Sequence, residues 1–264
     1  DSENKIVPGQ AESMEVSDDG LTYTFHLRKG LKWSDGTPLT ANDFVYSWKR
    51  LADPNTAAPY AMDMLGYVKG YKEASEGNLD ALGVSAPDDD TFVVEMASPC
   101  VYFSKLITHG SMVPVQQATI EANGDQWTLT PETYISNGPL KMIEWVPGSH
   151  ITFAKNENYW NAGQTEIQQR NVDRIIYKFI PEEAQRTISL ESGDVDFVYD
   201  PPLTELEGLM NNSDYDVLEV KTSSTPSLYF NSSEGSVCSN KSLRQAISCA
   251  IDNSAIVAAV YKGF

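Results

Sequence analysis

The feature that most limits the fold is a change of hydrophobic period within the first fifty residues. Leu21-Thr22-Tyr23-Thr24-Phe25-His26-Leu27 alternates apolar and polar side chains. One face of such a segment is apolar, which is the pattern of a half-buried strand. Phe44, Trp48 and Leu51 then recur at helical spacing. Thr40, with Asp43 three residues later, approximates a capping box, which would satisfy free amides at a helix start for about 1 kcal/mol. The pattern predicts a helix from about Ala41 to Leu51, ending before Asp53-Pro54. With turn chemistry at Asp18-Asp19-Gly20 and Ser34-Asp35-Gly36, these pieces read as a mixed α/β unit.

Further along, Thr91 to Met96 reads as a strand with Phe92, Val94 and Met96 on one face. A helix near Pro99 to Thr108 would carry Tyr102, Phe103, Leu106 and Ile107 as its apolar stripe. The character changes near Gly124-Asp125-Gln126-Trp127. Leu140 to Trp145 and Ile151 to Lys155 flank Val146-Pro147-Gly148-Ser149 as a hairpin. Val172 to Ile180, Pro181 to Ser192 and Val195 to Tyr199 read as strand, helix and strand, an order that suggests a crossover and a parallel pair. Val217 to Lys221 and Ser227 to Asn231 are expected as short strands. Leu243, Ala246, Ile247, Ala250 and Ile251 mark the clearest amphipathic helix, and Asp252-Asn253-Ser254 would cap a last one running through Tyr261.

The chain has 264 residues, room for roughly two domains. Its 19 basic and 37 acidic residues leave a net charge of −18. Such a chain repels phosphate backbones, so nucleic acid is not an expected partner. The acidic residues are scattered, which favours a solvated surface over an acidic site for cationic ligands. Three cysteines, Cys100, Cys238 and Cys249, are too few for a disulfide scaffold, though enough for one bridge, and have no zinc-type spacing. No apolar run approaches the roughly 18 residues of a transmembrane helix. The first five residues lack the basic and apolar regions of a signal peptide, so the chain is either cytoplasmic or has had its targeting segment removed.

Catalytic constellations are scarce. His26, His109 and His150 are isolated, on a polar strand face, in a loop and in a hairpin turn. No nucleophile elbow, zinc-protease, phosphate-loop or dinucleotide motif is present. Carboxylates such as Asp88-Asp89-Asp90 and Glu182-Glu183 fall in turns or at helix starts, where solvation or the helix dipole explains them. Thirteen Tyr and five Trp suit a cleft that grips a ligand without covalent chemistry. Trp48 and Tyr102 are expected in the core and Trp145 in a strand. Tyr60 stands apart, in a loop with no apolar periodicity to bury it.

Several segments carry a resemblance. Leu21 to Arg28, Trp33-Ser34-Asp35-Gly36-Thr37-Pro38, Ala41 to Trp48 and Leu51-Ala52-Asp53-Pro54-Asn55-Thr56 resemble the oligopeptide-binding proteins of bacterial ABC importers. So do Asn137-Gly138-Pro139-Leu140-Lys141, Glu144-Trp145-Val146, Lys155-Asn156 with Asn158-Tyr159-Trp160, Ser192-Gly193-Asp194-Val195-Asp196, and Leu243-Arg244-Gln245-Ala246 with Ala250-Ile251-Asp252. The resemblance spans nearly the whole chain in order. It departs at Leu140, where relatives often have Tyr.

The resemblance implies a periplasmic-binding-protein-like type II fold, mixed α+β, present here as one lobe and the start of the second. Residues 1–126 would be the smaller outer domain of the first lobe, 127–231 its main domain, and 232–264 the start of the second lobe. It implies an extracytoplasmic protein, a cell-surface lipoprotein or periplasmic, with its anchoring cysteine upstream. Such a protein acts as a monomer that closes on an oligopeptide and delivers it to membrane permease subunits. Tyr60 matches the tyrosine that lies along the bound peptide, and Tyr229 and Asn231 match a strand close to the cleft. The residue that pairs with the peptide's amino terminus has no counterpart in the 264 residues, so weak peptide binding is expected of this chain alone. The resemblance implies no catalytic residue, no metal and no cofactor. Nickel, haem or another solute is the alternative cargo, and a carboxylate-pair glycan hydrolase the alternative from a different class.

Overall fold

The computed structural model describes residues 5–163, 172–220 and 226–260, in two compact units, Asp1–Phe179 and Ile180–Phe264. The first unit holds two antiparallel sheets. Strands β1 (Ala11–Val16), β2 (Thr22–Leu27), β3 (Val84–Asp88) and β4 (Thr91–Glu95) are ordered β1-β2-β4-β3. The alternation read from the sequence holds in β2, where Tyr23, Phe25 and Leu27 are buried. Phe92, Val94 and Met96 bury the matching face of β4 and its end.

Helix α1 (Ala41–Ala52) covers this face. Its capping box is formed: the Thr40 amide donates to Asp43 Oδ2 at 2.8 Å, and the Thr40 side chain accepts from the Asp43 amide. Trp48 lies edge-on to Phe92 (5.0 Å between ring centroids), and its Nε1 donates to the Met112 carbonyl at 3.0 Å. The indole therefore fills the core without leaving its polar atom unpaired. Short helices α2 (Ala61–Leu65), α3 (Tyr71–Ser75), α4 (Phe103–Leu106) and α5 (Gln117–Asn123) follow around it.

The expected helix near Pro99 to Thr108 forms only the single turn of α4. Phe103 is fully buried, but Tyr102 is 43% exposed rather than a core residue. Its hydroxyl donates to that of Tyr67, and this bond pushes the Tyr102 phenol up to about 12. A one-turn helix has no continuous stripe, so helical spacing does not bring all four apolar residues to one face.

The second sheet is β5 (Leu140–Val146), β6 (His150–Lys155) and β7 (Arg174–Lys178), in that order and antiparallel throughout. The hairpin turns where expected, with Gly148 at φ +74°. His150 is paired with Val146 at the start of β6 instead of lying in the turn. The two sheets are joined at Ser34, whose amide donates to the Ser136 carbonyl at 2.7 Å and whose carbonyl accepts from Asn158 Nδ2 at 3.2 Å.

The second unit contains α6 (Glu183–Glu191), α7 (Leu203–Met210), α8 (Lys241–Ala250) and α9 (Asn253–Val260). The crossover is not formed. Residues 195–199 are not a strand, and Phe197 and Tyr199 are 72% and 82% exposed. The short strands expected at 217–220 and 227–231 are also absent, while Lys221 lies outside the described residues. Among the described residues of this unit no strand offers a partner, and an unpaired extended segment is not a sheet. The amphipathic helix is present as α8, capped by Asn240 Oδ1, which accepts from the Ser242 and Leu243 amides. Its stripe is only partly covered, with no residue of α8 buried. Helix α9 is described to Val260, and Tyr261 lies outside the described residues.

Candidate functional site

Tyr60 is presented by a loop that is braced by its own hydrogen bonds. Asp53 Oδ1 accepts from the Asn55 amide at 2.9 Å, closing an Asx turn, and Pro54–Thr56 form a single 3-10 turn. Ala57 then takes a left-handed backbone, φ +49°. A non-glycine residue there stores strain of about 1 kcal/mol or more, and the chain turns sharply into α2. Tyr60 stands at the N-cap of α2, its carbonyl accepting from the Met64 amide, and is 50% exposed.

Its ring is in contact with His109, 5.0 Å between centroids at 58°. His109 Nδ1 accepts from the Ser111 amide at 3.2 Å. In the neutral ring the hydrogen therefore sits on Nε2. An exposed aromatic and a fixed imidazole thus form one surface, able to stack on a ligand and to donate a hydrogen bond. In the sequence His109 stands isolated from any other candidate ligand-binding residue. Forty-nine positions separate it from Tyr60, and only the tertiary fold makes them neighbours.

Tyr229 and Asn231 belong to the second unit, so the structure does not bring them together with Tyr60 within one compact body. Tyr229 is 89% exposed. Asn231 Oδ1 accepts from the Ser233 amide and its carbonyl from Ser236 Oγ, a local turn rather than the expected strand.

The other histidines are held structurally. His26 Nε2 lies 3.4 Å from Glu15 across the β1–β2 pair. His150 Nε2 lies 3.2 Å from Glu144, whose carboxyl is held below its ordinary range by hydrogen bonds from His150 and Thr152. In the Asp88-Asp89-Asp90 run the Asp88 carboxylate is used locally, its Oδ1 accepting from the Asp90 amide at 2.9 Å. Cys100, Cys238 and Cys249 are all free thiols, Cys100 buried, so the one possible bridge is not formed. Among the described residues no group of three or more His, Cys, Asp or Glu could hold a metal ion, and no helix is long and apolar enough to cross a membrane.

An apolar cavity of the first unit, about 530 Å³, is lined by Ile6, Met14, Phe25, Phe44 and Trp48 among others and includes neither Tyr60 nor His109. It is an opening into the core beside β1.

Comparison with known proteins bears on the whole chain. The profile of the bacterial extracellular solute-binding proteins, family 5, middle, matches residues 5–264. The periplasmic oligopeptide-binding protein OppA of Salmonella typhimurium is 42% identical over 209 residues, 78% of this chain and 37% of that protein. Haemophilus influenzae OppA, solved in complex with the peptide RPPGFSPFR, superposes with a TM-score of 0.71 at 38% identity, covering 79% of this chain and 40% of that one. A periplasmic oligopeptide-binding protein from Borrelia burgdorferi superposes with a TM-score of 0.79 at 28% identity, over 96% and 49%. The chain spans less than half the length of each of these relatives.

Proposed function

The chain belongs to the bacterial extracellular solute-binding proteins of family 5, and from that premise we propose that it serves oligopeptide capture outside the cytoplasm for delivery to an ABC permease. The observation that carries the reading is the Tyr60–His109 surface, set on a strained, hydrogen-bonded loop in a chain 42% identical to an oligopeptide-binding protein. A site that takes many peptide sequences must grip the main chain and leave side chains loosely held. An exposed ring supplies area without side-chain selectivity, and the imidazole Nε2–H is a donor for a peptide carbonyl. Tyr229 and Asn231 are carried as further contacts of the same ligand. The division at residues 126 and 231 is carried with them; the buried members of the core around β1–β4 all precede residue 113, while Ile135 and Trp160 pack against that core from beyond residue 126. The protein works as a binding component rather than an enzyme, and as a monomer without a cofactor.

The test is titration of the isotopically labelled chain with mixed tri- to pentapeptides to millimolar concentration, read by amide chemical shifts, which register even weak binding. Shifts are expected around Tyr60 and His109, and Tyr60→Ala should weaken the response severalfold. A response there to an oligosaccharide, a nickel complex or haem, with none to peptide, overturns the reading.

A further inference from the structure

We infer that the cavity between α6 and α7 is a second ligand site, sharing no residue with the proposed peptide site, and that it takes an organic ammonium group. The cavity measures about 440 Å³ and lies wholly within the second unit. Two of its lining side chains carry buried polar atoms with no partner, Thr187 Oγ1 and Glu205 Oε2. Thr187 is only 5% exposed. A helical threonine ordinarily bonds the carbonyl four residues back, here Glu183, and Thr187 does not. A polar atom that has lost its water and gained no partner is a standing cost, and such atoms in a native protein call for an explanation.

The surroundings specify what would relieve that cost. Glu191 lines the same cavity from the last residue of α6, where the helix dipole disfavours an anion, and Glu205 lines it from the first turn of α7. No Lys, Arg or His lines it. A buried carboxylate oxygen without a donor, a buried hydroxyl without a partner and a second, exposed carboxylate together ask for a cation that carries N–H groups. A metal ion fits less well, because no group of three or more ligating side chains is found among the described residues, and hard cations take six or more oxygens. The volume and walls favour an organic cation. Ile188 and Leu209 are apolar, Gly208 leaves open space where a side chain would project, and Tyr215 adds an aromatic ring of the kind that holds ammonium groups.

Calorimetric titration of the 264-residue chain with n-butylammonium and 1,4-diaminobutane, against matched sodium chloride and calcium chloride, tests the site. Saturable binding of one amine per chain is expected, weakened at least tenfold by Glu191→Gln and by Glu205→Gln. Glu191 is exposed, so that variant tests the site even where Glu205→Gln compromises folding. Thr187→Val should weaken binding severalfold while keeping the helical circular dichroism. No saturable heat from either amine, undiminished binding by Glu191→Gln, or a response to calcium alone overturns the proposal. The peptide reading is tested at Tyr60 and His109, so either can fail without the other.

Discussion

Helices α1 and α8, one in each compact unit, are of similar amphipathic quality, and the units differ sharply in what such a helix covers. In the first, α1 and the β1–β4 sheet enclose Trp33, Leu65, Val68, Val94 and Phe103, all essentially inaccessible. In the second, Leu209 is the only buried apolar residue among those described, while Phe197, Tyr199, Leu218 and Tyr229 are largely exposed. Periodicity marks which face of a helix is apolar. Stabilisation comes only when another surface removes that face from water, at roughly 25 cal/mol per Å².

Truncation is the most direct way to break this comparison. Trp48→Ala or Phe92→Ala should destabilise the first unit by about 3–5 kcal/mol, the transfer and cavity cost of a buried aromatic. Phe197→Ser or Tyr199→Ser should stay within about 0.5 kcal/mol, as exposed substitutions do. Urea unfolding followed by circular dichroism measures both, and equal costs would show that the second unit hides a core.

Glycines offer a second contrast. A Cβ on Gly70, at φ +71°, would meet the Ala81 carbonyl oxygen at 1.8 Å. Gly193, at φ +77°, has nothing within 4 Å. Gly193→Ala should cost only the left-handed strain, about 1–2 kcal/mol. Gly70→Ala must add a backbone displacement and should cost clearly more by the same measurement.

Helix caps should erase the difference, because capping is local. Thr40→Ala at α1 and Asn240→Ala at α8 should each cost about 1 kcal/mol, read as lost amide-exchange protection in the first turn of each helix. A much larger loss at Thr40 would mean that its cap also holds tertiary packing.

The smallest effect is titration. Partial burial works to raise the Asp35 carboxyl, but hydrogen bonds from Gln116 and Thr37 outweigh it and hold the group below its ordinary 3.8. A lowered folded value contributes stability that is present above the unfolded value and lost as pH falls through the folded one. Asp35→Asn should therefore destabilise the first unit at pH 6, with the gap to the unsubstituted protein closing below about pH 4. A gap that does not change with acidification would show that the carboxylate's charge is not what holds Gln116.

Much of the first unit was legible because its signals are short-range. The β2 alternation, the Thr40–Asp43 box and the Pro147-Gly148 turn each act over a few residues and each formed as read. Strand β1 was not legible: Ala-Glu-Ser-Met-Glu-Val has little apolar alternation and is a strand because β2 offers it a ladder. Tyr102 was misread because its helix stops after one turn, and 195–199 because apolar alternation cannot make a strand without a neighbour. At the candidate site, Tyr60 could be found from its unpatterned loop, while His109 could not be found at all.

What the sequence by itself determined was local and familial: where the backbone turns, where α1 begins, which faces are apolar, and which family the motifs belong to. Steric limits on φ and ψ, caps and side-chain period act between near neighbours and are written into adjacent letters. The tertiary structure alone decided the β1-β2-β4-β3 order, the union of two sheets at Ser34, the meeting of Tyr60 with His109 and the enclosure of Thr187 with Glu205. Those contacts join residues far apart in the chain, and packing selects them only after the intervening loops have closed.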